Sequence, residues 1–124
     1  MKAIVVDDSR AMRTILRRVL TKVGFDVVEA GQGAEALDQL QQSGPLDLAL
    51  VDWNMPVMTG YEFLQQIRAK REFDPMPIMM VTTETEMSQV QRALEAGANE
   101  YVMKPFTEEA LREKLLLLGL AEAQ

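Results

Sequence analysis

Short apolar segments rich in β-branched residues or methionine recur along the chain, beginning near residues 3, 25, 46, 77 and 101. Buried strands of a parallel sheet have this continuous apolar character. The intervals between the segments leave room for one helix each. The predicted strands cover residues 3–6, 25–28, 46–51, 77–81 and 101–103.

The segment between Ser9 and Gly24 has the periodicity of an amphipathic helix. Its apolar residues follow the i, i+3, i+4, i+7 series, which places them on one face. They are Met12, Ile15, Leu16, Val19, Leu20 and Val23. Gly24 is typical of a residue that ends a helix, so we expect the first helix to stop there.

Four more helices follow the remaining strands. They are predicted over residues 34–42, 60–70 and 86–96, and from Thr107 onward. Thr59 and Glu62 have the spacing of a capping box at the start of the third helix. The apolar positions of the fourth helix are Val90, Ala93 and Leu94, and Gly97 is expected to stop it.

Strict alternation of strand and helix predicts a doubly wound α/β fold, with five parallel strands covered by helices on both faces. The sequence has neither a linker nor an internal repeat, so residues 1–124 are predicted to form one (βα)5 domain. With the flavodoxin-like strand order 2-1-3-4-5, the order reverses between strands one and three. Ligands of open α/β sheets bind at that point, outside the carboxyl ends of the strands.

Charged and hydroxyl side chains stand directly after the predicted strands. Asp7 and Asp8 follow the first strand and Asp52 follows the third, so three carboxylates should converge at the reversal point. Thr82 follows the fourth strand, and Lys104 follows the fifth. Each residue alone has a simpler interpretation, because acidic pairs also cap helices and single aspartates also cap loops. The prediction of a site depends on four strand ends together.

Composition limits the ligand that this acidic cluster could bind. The sequence has no histidine and no cysteine, which excludes imidazole and thiolate chemistry. Converging carboxylates repel one another unless one is protonated or a cation lies among them. Mg²⁺ is the expected cation, since it takes one or two carboxylates and leaves room for phosphate oxygens. Lys104 and the Thr82 hydroxyl would complete a site for a phosphoryl group.

The balance of charged residues argues against one class of partner, the nucleic acids. The chain carries 19 acidic and 13 basic side chains, a formal net charge of −6, which argues against a nucleic acid partner. Its apolar runs fall far short of the ~20 residues that a bilayer-spanning helix needs. We therefore expect a cytoplasmic protein that binds neither nucleic acid nor membrane.

Four motifs resemble those of the receiver domains of two-component response regulators. They stand in the order and spacing of that family, the resemblance covers essentially the whole chain, and it is close to the stand-alone receivers of bacterial chemotaxis. The motifs are VDDS at 6–9, VDWNMP at 51–56 followed by TG at 59–60, VTTE at 81–84, and GA at 97–98 leading to YVMKPF at 101–106.

The resemblance implies a role for each polar residue of the predicted site. Asp52 would be the phosphoacceptor, and Lys104 would pair with the phosphoryl group. Asp7, Asp8 and Asp52 would hold Mg²⁺ together with the backbone carbonyl of Asn54. The peptide bond that follows Lys104 would be cis.

The resemblance also implies a conformational switch. Thr82 would turn toward the phosphoryl group, and Tyr101 would follow from an outward to an inward rotamer. Asn54 and Glu84 match positions that tune dephosphorylation in the family, although a loop asparagine and an acidic helix entry are also ordinary features there. Thr83 departs from the small residue usual at its position, which would narrow access to the phosphoryl group.

The expected function is a phosphorylation-activated signalling switch that catalyses only its own phosphorylation and dephosphorylation. A histidine kinase would supply the phosphoryl group, and an output protein such as a flagellar motor switch component would receive the signal. A phosphatase is a further candidate partner. We expect a monomer that signals through its partner, without an output domain of its own.

Two alternatives share this topology. A single-domain phosphorelay intermediate would use the same site, and Trp53, Asn54, Glu84 and Tyr101 favour chemotaxis over it. A flavodoxin-like electron carrier would need a glycine- and hydroxyl-rich loop after the first strand, where the acidic pair would instead repel a cofactor phosphate.

Overall fold

The computed structural model describes residues 1–83 and 88–121, which form a parallel sheet between two layers of helices. The strands are β1 (Lys2–Val6), β2 (Asp26–Ala30), β3 (Leu48–Asp52), β4 (Ile78–Thr83) and β5 (Glu100–Lys104). Neighbouring strands all pair in parallel, in the order β2-β1-β3-β4-β5. The predicted fold class and strand order are confirmed.

The helices are α1 (Arg10–Val23), α2 (Gly33–Ser43), α3 (Gly60–Arg68), α4 (Val90–Glu95) and α5 (Glu108–Leu117). A short 3-10 helix, Arg71–Phe73, follows α3. The third helix ends before the predicted residue 70 because Lys70 already has an extended backbone. The predicted start of the fourth helix at residue 86 lies outside the described residues.

Side chains of the strands alternate between two apolar layers. Ile4 and Val6 of β1 face the layer formed with α2, α3 and α4, whereas Ala3 and Val5 face the layer formed with α1 and α5. Burial on both faces explains why the strands read as continuous apolar segments. It also leaves the strand ends as the place where polar side chains can gather.

Two side chains that the helical pattern assigns to the core are exposed. Ile15 of α1 is 46% exposed and Leu94 of α4 is 42% exposed. The prediction was wrong for both because a helix contacts the sheet along the centre of its apolar stripe, and residues at the margin remain in solvent.

Local signals at the helix ends position the loops of the site. The Ser9 hydroxyl accepts a hydrogen bond from the Met12 N–H at 3.2 Å and starts α1 directly after the acidic pair. The predicted capping box of α3 is present. A Cβ on Gly60 would lie 2.3 Å from the Asp52 carbonyl oxygen, so only glycine lets α3 begin this close to the end of β3.

Candidate functional site

Three carboxylates converge where the strand order reverses, at the carboxyl ends of β1 and β3. Asp7, Asp8 and Asp52 each place one oxygen within 4.8 Å of the others. Asp7 and Asp52 are buried, and Asp8 is exposed at the mouth of the cluster. We call these three residues the acidic pocket. Like charges this close are unfavourable unless a proton or a cation offsets them.

Lys104 brings a positive charge to the acidic pocket from the end of β5. Its Nζ lies 3.1 Å from Asp52 Oδ1 and 3.6 Å from Asp7 Oδ2. The peptide bond between Lys104 and Pro105 is cis, in agreement with the expectation from the resemblance. One ammonium group therefore faces two buried carboxylates.

Asp7 has one oxygen available to a ligand. Its Oδ1 accepts a hydrogen bond from the Ser9 N–H at 2.8 Å. Its Oδ2 is buried and, within residues 1–83 and 88–121, accepts no hydrogen bond. A buried anionic oxygen without a donor is costly, and an oxygen-seeking cation would satisfy it. The donor set of the pocket therefore fits Mg²⁺, which prefers carboxylate oxygens.

The environment of Asp52 changes its protonation. Burial raises the pKa of Asp52 to about 6, with a further rise from the neighbouring Asp7 carboxylate. Lys104 and the Asn54 backbone N–H oppose this rise because both stabilise the ionised form. The Asp52 carboxylate is thus ionised at neutral pH, but the loss of its hydration on burial is only partly offset by Lys104.

Thr82 and Tyr101, the residues expected to act as a switch, lie on adjacent strands. Thr82 of β4 is buried, and its hydroxyl donates to the Thr83 carbonyl oxygen at 3.2 Å. Tyr101 of β5 is partly buried, and Lys114 Nζ lies 4.3 Å from the centre of its ring. Asn54 is exposed in the loop after β3, and Glu84 lies outside the described residues.

The structure adds one polar residue that sequence reasoning missed. Arg13 of α1 donates from Nη1 to the Asp7 carbonyl oxygen at 2.6 Å and from Nε to Glu29 Oε1 at 3.1 Å. Hydrogen bonds from Arg17 and Arg13 keep the pKa of Glu29 below its usual value, with Arg17 the larger cause. Glu29 lies one residue before the end of β2, and nothing in the periodicity indicates which arginine reaches it.

Comparison with known proteins identifies the family that has this arrangement. The family described as "Response regulator receiver domain" matches residues 3–116. The chain belongs to the receiver-domain family. Receiver domains are the phosphorylation-activated switches of two-component response regulators, and the residues of the acidic pocket all fall within the matched range.

Relatives of this receiver include proteins named as chemotaxis proteins. A "Chemotaxis protein CheY homolog" of Campylobacter jejuni is 47% identical over 116 residues, which cover 93% of this chain and 89% of the relative. "Chemotaxis protein CheY1" of Helicobacter pylori is 44% identical, with 96% and 98% covered. The crystal structure of Vibrio cholerae CheY4 superposes with a TM-score of 0.85 at 37% identity and covers 94% of this chain and 97% of that one.

These similarities favour a receiver over the electron-carrier alternative. The chain is a CheY-like receiver, a phosphorylation-activated switch of the chemotaxis type. The electron-carrier alternative shares only the topology of the sheet. No helix within the described ranges is long and apolar enough to cross a membrane.

Proposed function

We propose that Asp52 accepts a phosphoryl group from a histidine kinase and that this modification switches the protein between two signalling states. The observation that carries the proposal is the arrangement around Asp52. Its buried carboxylate lies 3.1 Å from Lys104 Nζ and within 4.8 Å of the other carboxylates of the acidic pocket. Asp52 is buried, charged and placed where the strand order of the sheet reverses. These three properties together support the role of a nucleophile for Asp52 over that of a residue that caps a loop.

The residues of the acidic pocket are proposed to hold Mg²⁺. Asp7, Asp8 and Asp52 would supply carboxylate oxygens, and Asn54 would supply its backbone carbonyl, as the family resemblance implies. When bound, Mg²⁺ offsets the repulsion between the pocket and the oxygens of an incoming phosphoryl group. The buried Oδ2 of Asp7 supports this assignment because it accepts no hydrogen bond from the described residues, and Lys104 Nζ, at 3.6 Å, is shared with Asp52.

The transfer step forms one bond and breaks another. A carboxylate oxygen of Asp52 bonds to phosphorus while the bond between phosphorus and the kinase histidine nitrogen breaks. The nitrogen keeps the bonding electron pair and takes a proton from solvent. Lys104, already beside Asp52, stabilises the charge on the transferred group.

The switch itself is assigned to Thr82 and Tyr101. Thr82 would turn its hydroxyl toward the phosphoryl group, and Tyr101 would move inward after it, which changes the surface formed by α4, β5 and α5. Asn54 and Glu84 would tune the rate of dephosphorylation, and Thr83 would restrict access of water. A new charge that biases a two-state element is how phosphorylation switches generally work.

The proposed partners follow from the same family. This protein would act in the cytoplasm, where a histidine kinase would donate the phosphoryl group and a component of the flagellar motor switch would bind the phosphorylated form. A phosphatase is a further candidate partner. The relatives named as chemotaxis proteins support this assignment.

Acetyl phosphate with Mg²⁺ tests the proposal on the purified protein. We expect one hydroxylamine-labile phosphoryl group on wild type, detected as a mass increase, and none on Asp52→Asn. Trp53 adjoins the proposed acceptor, so its fluorescence should change with Mg²⁺ and again with the phosphodonor. Equal phosphorylation of Asp52→Asn, or phosphorylation of wild type that persists with excess EDTA, would contradict the proposal.

A further inference from the structure

Arg13 connects the acidic pocket to the end of a neighbouring strand. Its guanidinium donates to the carbonyl oxygen of Asp7 at 2.6 Å and to Glu29 at 3.1 Å. The side chain is only 18% exposed, so packing limits its freedom. Arg13 therefore fixes the backbone at the end of β1 relative to the carboxylate at the end of β2.

Every polar group of Asp7 except the Oδ2 oxygen takes part in a hydrogen bond, and Oδ2 has only the ion pair with Lys104. The Asp7 N–H donates to the Ala30 carbonyl oxygen at 3.1 Å, and its Oδ1 accepts from the Ser9 N–H at 2.8 Å. The Asp7 carbonyl accepts from Arg13. The remaining Oδ2 is the buried oxygen that faces the pocket. Its direction depends on the main chain that Arg13 holds.

We propose that Arg13 is a positioning residue of the cation site, which directs Asp7 Oδ2 into the acidic pocket and is itself oriented by Glu29. The inference rests on the proposed function, since the cation belongs to that function. Groups that orient a metal ligand are known to change metal affinity by roughly 10- to 100-fold when they are removed.

The sign of the effect separates positioning from simple electrostatics. Arg13 is a cation close to a site for a divalent cation, so removal of its charge alone should strengthen Mg²⁺ binding. Removal of a group that orients Asp7 should weaken Mg²⁺ binding. The two explanations therefore predict opposite changes in the dissociation constant.

Arg17 provides the matched control. It lies one turn further along α1, and its Nη1 donates to the other oxygen of Glu29 at 2.6 Å. Within the described part of the chain it makes no bond to Asp7. Arg17→Gln removes the same charge and an ion pair with the same carboxylate, but it leaves the contact between Arg13 and Asp7 in place.

The experiment titrates wild type, Arg13→Gln and Arg17→Gln with MgCl₂ and follows the fluorescence of Trp53. Urea unfolding in EDTA gives the stability of each variant without metal. We expect the dissociation constant of Arg13→Gln to rise roughly 10-fold, and that of Arg17→Gln to stay near the wild-type value or fall. A dissociation constant for Arg13→Gln equal to or below that of Arg17→Gln overturns the inference.

Glu29→Gln extends the test in a variant that keeps Arg13. If Glu29 acts by orienting Arg13, this variant should bind Mg²⁺ several-fold more weakly than wild type. The same change made in Arg13→Gln should then have little further effect, whereas loss of the Glu29 charge alone would weaken binding equally in both backgrounds. Wild-type affinity in Glu29→Gln overturns the part assigned to Glu29. Failure of the proposed function would be seen separately, as a wild-type protein whose fluorescence does not respond to Mg²⁺.

Discussion

The Lys104 ammonium lies 3.1 Å from the Asp52 carboxylate, and this contact does not offset the burial of that carboxylate. The pKa of Asp52 still rises to about 6, because desolvation and the Asp7 charge outweigh the charge and hydrogen bond of Lys104 and the backbone hydrogen bond at Asn54. The acidic pocket without a bound cation therefore reduces the stability of the fold, as is common where a site is built from like charges.

Asp52→Asn should stabilise the protein in metal-free solution. The pKa of Asp52 is higher in the folded protein, about 6, than its ordinary value of 3.8, so the folded state binds the proton more tightly. The ionised carboxylate consequently destabilises the fold. This destabilisation is complete at a pH above the folded-state pKa and absent at a pH below the unfolded-state pKa. We expect a gain of up to roughly 3 kcal/mol above about pH 7.

Urea unfolding in EDTA across this pH range measures the effect. The gain should shrink steadily as the pH falls from 6 toward 3.8. Asp8→Asn is the control, since Asp8 is exposed and its ionised form loses little hydration. A gain for Asp52→Asn that does not depend on pH would show that the carboxylate charge is not its cause.

Val57→Asn should also raise stability, for a reason that lies in the backbone. Val57 has a φ of 69° in a tight turn closed by the Met58 N–H and the Pro56 carbonyl oxygen at 2.7 Å. The hydrogen bond spans only three residues, which is a γ-turn, and a β-branched residue at its centre is strained at positive φ. Asparagine is one of the non-glycine residues that tolerate positive φ best. The side chain is 97% exposed, so the substitution sacrifices no packing.

The expected gain in the free energy of unfolding for Val57→Asn is about 1 kcal/mol. Val57→Thr is the matched control because threonine is polar but retains the branched Cβ, and it should change stability little. If both variants were equally stabilised, the branched Cβ at positive φ would not be the cause, and the prediction would be contradicted.

Arg68→Ala should be among the most damaging changes outside the acidic pocket. The Arg68 guanidinium donates to the carbonyl oxygens of Gly97, Phe73 and Met76 and to the side chain of Asn99. Its loss would leave the Gly97 and Met76 carbonyl oxygens, near the amino ends of β5 and β4, without the donor that Arg68 supplies. The other two acceptors each keep a backbone N–H donor. We expect a loss of roughly 3 kcal/mol in the free energy of unfolding, measured by urea denaturation.

Arg68→Lys should recover little of that stability. A lysine ammonium is a single compact group and cannot reach all the acceptors that the planar guanidinium of Arg68 contacts. Arg71→Ala, at an exposed residue of the following 3-10 helix, serves as the control and should be nearly neutral. Recovery of wild-type stability by Arg68→Lys would show that charge, and not the fork of hydrogen bonds, matters at this position.

The sequence was sufficient to predict the strand order of the sheet and the polar residues at the carboxyl ends of its strands. Asp7 and Asp52 could be placed together because strands of a parallel sheet end on one side, and continuous apolar segments mark those strands. The contact between Arg13 and Asp7 could not be predicted, since it depends on which way a long side chain folds against a neighbouring loop. The positive φ of Val57 could not be predicted either, because a β-branched side chain disfavours that backbone conformation.

Lys114 and Tyr101 should be energetically coupled, which a double-mutant cycle can measure. Lys114 Nζ lies 4.3 Å from the ring centre of Tyr101 and 3.1 Å from Glu100, whose carboxylate also accepts from the Tyr101 N–H. Lys114→Met and Tyr101→Leu should together cost less stability than the sum of the single changes, by about 0.5–1 kcal/mol in urea unfolding. The control cycle pairs Tyr101→Leu with Lys22→Met, whose lysine contacts Glu108, and it should be additive. Additivity in the first cycle would mean that the cation over the ring does not hold Tyr101 in its present orientation.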